Sequence, residues 1–284
     1  MPEPAMLSRQ QVRHYQEQGY LALESLLPKP ATESIRHAAT RIVDAFDIDA
    51  HRTVFSTQDR DRGRDRYFMD SAEAVHCFLE ERALDPAGKL LGPKHLAINK
   101  IGHAMHDLVP EFTAFCRQPV FAEILRDLGY RVPILWQTMY IFKQPRIGGE
   151  VRWHQDASYL ITQPPCVTGI WVAIEDARRD NSCLWLHPGG HRSPLREIYR
   201  VDPATREGTL QPLDDTPWPG AADAVALEVP AGSVVLFHDH MPHYSSANQS
   251  RHSRHAFTMH VAEQDAEWPD CNWIQRPRLG DFRL

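Results

Sequence analysis

The sequence lacks the features that mark secreted, membrane-spanning and nucleic-acid-binding proteins. Its five cysteines, at positions 77, 116, 166, 183 and 271, include no C-x-x-C pair, and their odd number does not suit a disulfide framework. No apolar run is long enough to cross a bilayer. The 37 acidic against 31 basic residues leave no excess of positive charge for a phosphate backbone or an anionic lipid surface. We therefore expect free thiols in a reducing cytosol, a cytoplasmic protein, and neither a nucleic-acid nor a membrane partner.

Targeting signals are also missing from both ends of the sequence. The opening Met1-Pro2-Glu3-Pro4 is not followed by an apolar core of the kind a signal peptide needs, and the closing Phe282-Arg283-Leu284 is not a peroxisomal S-K-L ending. We expect no secretory leader and no peroxisomal address.

Histidine is what the sequence has in quantity. The chain has 284 residues, 42% hydrophobic and 24% charged, which is typical of a globular protein. A chain of this length buries enough surface to hold a core without a disulfide or a metal. A metal bound by some of its 16 histidines would therefore serve chemistry rather than stability.

The N-terminal half has helical patterns with clear boundaries. Ser8 and Gln11 form a capping-box pattern at the start of a first helix, Gly19 can end that helix, and a short strand follows over 20–23. The pattern predicts three further helices. One begins at Pro30, one covers Ala72–Arg82, and one covers Val120–Leu128.

From residue 134 onward the sequence changes to short runs of β-branched and aromatic residues separated by Gly/Pro turns. This pattern is typical of an antiparallel sandwich or barrel. We predict one domain over 1–284, with mostly helical support in 1–133, a β core in 134–265, and a proline-containing segment, 195–227, that forms a lid or insert loop. The predicted strands are Ile134–Lys143, Gly169–Glu175, Ser182–Leu186, Ser233–Phe237 and Arg254–Ala262.

A first candidate metal-binding pattern is His154-Gln155-Asp156. In an extended strand, residues two apart point to the same side, so His154 and Asp156 can converge on one ion while Gln155 turns to the other face. An H-x-D triplet alone is a weak signal in a chain with this many histidines.

A second pattern near the end of the chain could complete the site. His238, His240 and His243 are followed by Arg254. Two histidines and one carboxylate hold Fe(II) on one face and leave three positions open, one for O₂ and two for a 2-oxo acid. The planar fork of an arginine suits the far carboxylate of such an acid. Spacing alone does not separate His238 from His243 as the distal ligand.

Several sequence blocks in the same order give the chain a specific resemblance. The order of H-x-D, a distal histidine and an arginine eleven residues later resembles the phytanoyl-CoA dioxygenase family of Fe(II)/2-oxoglutarate oxygenases. The likeness runs nearly from end to end of the chain. Its blocks are Phe55-Ser56-Thr57-Gln58, residues 98–106, Met139 to Pro145, Gly148-Gly149-Glu150-Val151, residues 154–158, and Gly169-Ile170-Trp171-Val172-Ala173.

The resemblance implies a fold, a ligand set and a reaction. The fold would be mainly β with flanking helices, built around a double-stranded β-helix (a cupin-like jelly roll). His154, Asp156 and His243 would hold Fe(II), because the eleven-residue step to Arg254 selects His243. Fe(II), 2-oxoglutarate and O₂ would together hydroxylate a small-molecule substrate, with release of succinate and CO₂. The 2-oxoglutarate pocket would be formed by Lys100, Met139, Gln155, Trp171, Ser245 and Arg254.

Two other functions fit the residues less well. One is a cupin-like metalloenzyme that does not use 2-oxoglutarate, and the other is a non-catalytic protein that binds a metal or 2-oxoglutarate. Within the family reading, the Asp156 carboxylate argues against halogenation, because halogenases lack it, and leaves hydroxylation, desaturation and ring formation. No pattern in the sequence names the primary substrate or an oligomeric state.

Overall fold

The first helix begins and ends where the sequence predicts. In the computed structural model, which describes residues 5–55 and 66–284, the Ser8 hydroxyl accepts a hydrogen bond from the Gln11 backbone N–H, and the Gln11 side chain accepts one from the Ser8 backbone N–H. Helix α1 (Arg9–Gln18) ends at Gly19, whose φ of 77° lies in the left-handed region. Glycine adopts that region readily because it has no Cβ. The predicted capping box is confirmed.

Five of the other described helices bury side chains in the hydrophobic core on one face of a large β-sheet, whereas the short helix at residues 66–70 has Phe68 on the cavity wall. Helix α2 buries Ile35 and Ala39, α6 buries Phe112, and α7 buries Phe121. None of the described helices is both long and apolar enough to cross a bilayer. The helices are α2 (Lys29–Ala45), α3 (Arg66–Asp70), α4 (Lys94–Ala97), α5 (Met105–Leu108), α6 (Pro110–Cys116) and α7 (Pro119–Asp127).

Nine of the described strands form the large sheet, in the order β1-β12-β7-β14-β5-β4-β3-β2 with β15 beside β5. All neighbours are antiparallel except β2 and β3, which are parallel. This sheet contains most of the strands that the sequence predicts after residue 134. Its strands are β1 (Tyr20–Leu23), β2 (Val54–Phe55), β3 (Val75–Glu80), β4 (Ile98–His103), β5 (Pro133–Ile141), β7 (Thr168–Ala173), β12 (Val234–His238), β14 (Ala256–Glu263) and β15 (Phe282–Arg283).

A smaller sheet faces the large one across a cavity. Its order is β11-β8-β13-β6, and strands β9 and β10 form a separate hairpin. The two sheets together make the double-stranded β-helix that the family resemblance implies. The strands are β6 (Val151–His154), β8 (Leu184–Leu186), β9 (Glu197–Val201), β10 (Gly208–Pro212), β11 (Val225–Leu227) and β13 (His243–Ser245).

Strand β14 illustrates how the sequence divides core from cavity. Phe257 and Met259 belong to the hydrophobic core beneath the helices, whereas Thr258 and His260 line the cavity between the sheets. This alternation follows from the two-residue period of a strand. Burying one such Phe side chain stabilises the fold by about 2–3 kcal/mol, so the apolar face fixes which residues the opposite face presents.

The predicted helix over Ala72–Arg82 is wrong. A 3-10 turn covers Ser71–Glu73, β3 follows and pairs antiparallel with β4 so that Cys77 lies opposite Ile101, and a second 3-10 turn covers Glu81–Ala83. Residues 77–80 are all buried. A short apolar segment that is buried on every side carries no period by which a helix can be told from a strand.

Two further segments contain more β-strands than the sequence pattern indicates. The half before residue 134 contributes strands β1–β4 to the large sheet in addition to its helices. Segment 195–227, predicted as a lid or insert loop, contains the hairpin β9–β10 and strand β11. Of the block Phe55 to Gln58, residues 56–58 lie outside the described residues.

Candidate metal centre and its cavity

Three side chains meet where the two short strands β6 and β13 pair. His154 ends β6, His243 begins β13, and the two lie directly opposite each other in the antiparallel register. Asp156 follows β6 in a 3-10 turn. One ligand atom of each residue lies within 4.8 Å of the others, the one such group of three among residues 5–55 and 66–284. The separation of these atoms is small enough for one ion to contact all three.

Backbone carbonyls fix the orientation of both imidazoles. His154 Nδ1 lies 2.9 Å from the Arg152 carbonyl oxygen, and His243 Nδ1 lies 2.9 Å from the Met241 carbonyl oxygen. A carbonyl only accepts, so each Nδ1–H donates, and the tautomer that this bond selects has its lone pair on Nε2. These Nε2 atoms lie 3.7 and 3.6 Å from Asp156 Oδ1. Metal-binding histidines are held in this way in many proteins.

The protonation states suit a divalent cation. Burial, and secondarily the neighbouring His243, lower the pKa of His154 to about 3, so the ring is neutral. Burial alone would raise the pKa of Asp156, but His260 and His243 outweigh it and lower that pKa below its usual range. Neutral imidazoles and an ionised carboxylate are the forms that bind metal. The donor set therefore fits ferrous iron.

His260 and Gln137 extend the site beyond the residues that sequence reasoning found. His260 Nε2 lies 3.1 Å from Asp156 Oδ2, and His260 Nδ1 lies 3.1 Å from Gln137 Nε2. The available signal was strand alternation: His260 stands six residues after Arg254, an even step that puts both on one face of an extended strand.

Arg254 lies buried in the same cavity, with only 2% of its surface exposed. Its Nε donates to the Ser182 carbonyl oxygen at 3.0 Å, its guanidinium carbon lies 5.4 Å from the centre of the Trp171 ring, and its Nη1 has no hydrogen-bond partner. Burial lowers the pKa of Arg254 to about 10, which leaves it charged at neutral pH. Burying a cation without an ion pair costs free energy, and an anionic ligand bound beside Arg254 would offset this cost.

Most of the other predicted cosubstrate contacts are brought to this cavity. Lys100, Met139, Trp171 and Ser245 all line it. Lys100 Nζ lies 3.8 Å from Met139 Sδ and 3.2 Å from the centre of the Phe55 ring. Thr258 was not predicted, yet it lines the cavity and its buried Oγ1 has no partner.

Gln155 is the exception, and its predicted contact with 2-oxoglutarate is corrected. The Gln155 side chain donates to the carbonyl oxygens of Pro194 and His240 at 3.2 and 2.9 Å and accepts from the Arg196 backbone N–H at 3.1 Å. It is fully buried on the face opposite the metal ligands. Strand alternation places it there, as the H-x-D spacing itself indicates.

The neighbouring histidines are separated from the cavity. His238 Nδ1 lies 2.7 Å from Asp239 Oδ1 and its ring stands 5.5 Å from that of His191, while His240 belongs to the same turn. Neither His238 nor His240 is among the residues that line the cavity. Of the three candidates for the distal ligand, the structure brings only His243 to Asp156.

One part of the cavity wall is aromatic. Phe68 and His103 pack against Trp273, with ring centres 4.6 and 4.9 Å from it, and Tyr159 and Leu160 complete this wall. His103 Nδ1 lies 2.7 Å from Ser71 Oγ. We call this part of the cavity the aromatic chamber.

The comparisons with known proteins agree with this site. A family model described as phytanoyl-CoA dioxygenase (PhyH) matches residues 15–256. The chain is 40% identical to a phytanoyl-CoA dioxygenase of Arabidopsis thaliana, over 96% of this chain and 95% of that protein. It is 38% identical to phytanoyl-CoA dioxygenase domain-containing protein 1 of Mus musculus, over 95% and 96%.

A solved structure has the same fold. It is EctD from S. alaskensis with 2-oxoglutarate and 5-hydroxyectoine, which is 18% identical, covers 98% of this chain and 85% of its own, and superposes with a TM-score of 0.65. At 18% identity this likeness shows the fold alone, whereas the family model and the curated relatives show the family. The chain belongs to the phytanoyl-CoA dioxygenase family and is an iron- and 2-oxoglutarate-dependent oxygenase.

Proposed function

We propose that this protein hydroxylates a C–H bond of a small organic or acyl substrate. The observation that carries the proposal is one shared cavity, in which three metal-ligand atoms lie within 4.8 Å of one another and Nη1 of the buried Arg254 has no hydrogen-bond partner among the described residues. The first feature suits iron, and the second suits the far carboxylate of 2-oxoglutarate. The two features together support a cavity that binds both iron and 2-oxoglutarate.

His154, Asp156 and His243 are assigned as the iron ligands. Iron with its cosubstrate and O₂ supplies an oxidising power that amino-acid side chains do not have. The chain contributes two imidazole Nε2 atoms from adjacent strands and one carboxylate from the turn after β6, a set that leaves room for further ligands. Its buried surroundings keep water away from the reacting C–H bond.

Arg254 is assigned as the anchor of the distal carboxylate of 2-oxoglutarate. Its guanidinium is held by Ser182 and lies over Trp171, so the donors are oriented before the ligand binds. A paired bond from a guanidinium to a carboxylate is among the strongest hydrogen-bonded contacts. Thr258 Oγ1 and Ser245, both buried on the cavity wall, offer further hydrogen bonds.

The aromatic chamber is assigned to the primary substrate. Phe68, Tyr159 and Trp273 present ring surfaces that suit an apolar body. Among the described residues of the cavity wall, Arg152 has its guanidinium beside Tyr159, and this guanidinium is neutralised by two oxygens of Glu197 at 2.6 and 3.2 Å. The curated relatives carry the name of phytanoyl-CoA, an acyl thioester, and an acyl chain would suit these walls.

We further propose that all described elements form one domain and that segment 195–227 closes one side of the chamber. The ion pair of Arg152 on β6 with Glu197 on β9 ties the hairpin to the cavity wall. Tyr159 and Tyr199, whose ring centres lie 5.9 Å apart, add a contact between the same two regions. A segment held at its base by an ion pair and a ring contact can cover a ligand while its tip stays exposed.

The test is a turnover assay with a spectroscopic companion. Succinate release from 2-oxoglutarate is measured for the wild-type protein against a panel of acyl and neutral organic compounds, and stimulation above the uncoupled rate identifies a substrate. Anaerobic addition of Fe(II) and 2-oxoglutarate should give a weak visible charge-transfer band. A protein that binds iron but shows neither the band nor succinate release would contradict the proposal.

A further inference from the structure

His260 and Gln137 form a hydrogen-bonded pair next to the metal ligands. They lie directly opposite each other on the paired strands β14 and β5. Both side chains are buried, 4% and 6% exposed, and both line the cavity. His260 is not a member of the three-ligand group formed by His154, Asp156 and His243.

The direction of each hydrogen bond follows from the chemistry of the partners. An ionised Asp156 carboxylate only accepts, so the His260 Nε2–H must donate to Oδ2 across 3.1 Å. In the tautomer with the proton on Nε2, the His260 ring has its lone pair on Nδ1, and this atom accepts from the Gln137 amide NH₂ at 3.1 Å. Gln137 therefore fixes the tautomer that His260 needs.

This chain of bonds divides the two oxygens of Asp156. Oδ2 is held by His260, whereas Oδ1 lies 3.7 and 3.6 Å from the Nε2 atoms of His154 and His243. Gly169 closes the same side, since a Cβ at this position would lie 3.1 Å from Oδ2. The carboxylate is thus held in one orientation before any ion arrives.

We propose that Gln137 and His260 are positioning residues that hold Asp156 as a ligand through Oδ1 alone. A carboxylate that offered both oxygens would occupy one more coordination position, and a freely rotating one would lose affinity through the cost of ordering it. The inference rests on the proposed metal site. It concerns how that site is oriented and assigns no step of the reaction to either residue.

The experiment measures metal affinity in the absence of 2-oxoglutarate and O₂, so it does not depend on turnover. The metal-free full-length protein is titrated with Mn(II), and free Mn(II) is followed by electron paramagnetic resonance. His260→Phe keeps a planar ring but removes the donor, and we expect its Kd to rise about 10- to 100-fold. His260→Gln places an amide NH₂ where Nε2 was, and we expect it to recover most of the affinity.

The pair of variants separates positioning from packing. If His260 served only as a packed ring, Phe would bind Mn(II) better than Gln, and that order would overturn the proposal, as would wild-type affinity in His260→Phe. Circular dichroism and the thermal midpoint of the metal-free proteins show that the compared variants are folded. If His260→Phe does not fold, Gln137→Met takes its place. We expect Gln137→Met to bind Mn(II) more weakly than the wild type, and wild-type affinity in that variant overturns the proposed positioning role.

A further variant separates failure of the inference from failure of the metal site. His154→Ala should bind Mn(II) far more weakly than wild type. If His154→Ala binds as the wild type does, the proposed ligand set itself is wrong. If His154→Ala loses binding while the His260 and Gln137 variants do not, only the proposed positioning role of His260 and Gln137 is wrong.

Discussion

His154 and His243 face each other across two hydrogen-bonded strands, with ring centres 4.0 Å apart. Residues 89 positions apart in sequence are therefore neighbours because of strand register, and register in turn is set by which face is buried. A one-residue slip of β13 would turn His243 away from the cavity. The metal site is thus a consequence of the same alternation that builds the core.

Removing either histidine should abolish both metal binding and succinate release. His154→Ala and His243→Ala each take away one of three donor atoms, and the remaining two form a much weaker site. The matched control is His240→Ala, which removes an imidazole three residues from His243 that does not line the cavity. Mn(II) titration and a succinate assay check the prediction. Loss of Mn(II) binding in His240→Ala but not in His243→Ala would assign the distal ligand to His240.

Arg254→Ala should raise the 2-oxoglutarate requirement steeply while leaving metal affinity unchanged. A hydrogen bond to a charged group contributes about 1.5–3 kcal/mol, which corresponds to a KM increase of roughly 10- to 150-fold. Arg254→Lys keeps the charge but loses the fork, so we expect an intermediate KM. Arg251→Ala, an exposed position on the same loop, serves as the control. An unchanged KM for 2-oxoglutarate in Arg254→Ala would remove Arg254 as the anchor.

The sequence predicts the proposed metal ligands because they obey simple local rules. His154 and Asp156 are two residues apart at the end of a strand, and the family resemblance selects His243 through its distance to Arg254. The strands after residue 134 are predictable because turn residues separate them. Each of these signals is read from residues that are close together in the sequence.

Features that depend on packing between distant segments were not predictable in this way. Strand β3 is buried on both faces, so its residues carry no two-residue period. The contact of Gln137 with His260 joins residues 123 positions apart, and neither belongs to a motif. Gln155 shows the opposite error, because a resemblance placed it in the cosubstrate pocket although the alternation of its own strand turns it away.

Gly169→Ala should weaken metal binding without removing any ligand. A Cβ at residue 169 would lie 2.6 Å from the Phe237 ring and 3.1 Å from Asp156 Oδ2, so the ring and the carboxylate must both move. Overpacking of this kind costs about 1–3 kcal/mol, and we expect part of it as a higher Mn(II) Kd. Gly92→Ala is the control, because nothing lies within 4 Å of the added atom. Equal Mn(II) affinities in the two variants would contradict the prediction.

His103 should make the protein less stable in acid. Burial, and secondarily the charge of Lys100, lower the pKa of His103 well below its ordinary value. The folded ring therefore stays neutral, while the unfolded ring takes up a proton near pH 6.5. Because the unfolded state binds more protons, the free energy of unfolding falls as the pH drops below about 6.5, by about 1.4 kcal/mol per pH unit for this one group until the folded pKa is reached.

The replacement His103→Gln removes the titrating ring and should flatten this part of the pH dependence. Urea unfolding of the metal-free wild type and variant is compared at several pH values between about 5 and 8. Above about pH 7 the two curves should run parallel, since the ring is neutral in both the folded and the unfolded state there and the difference reflects packing alone. Below about pH 6.5 they should converge, because only the wild type loses stability through residue 103. Curves that stay parallel over the whole range would mean that His103 takes up its proton in the folded state as readily as in the unfolded chain.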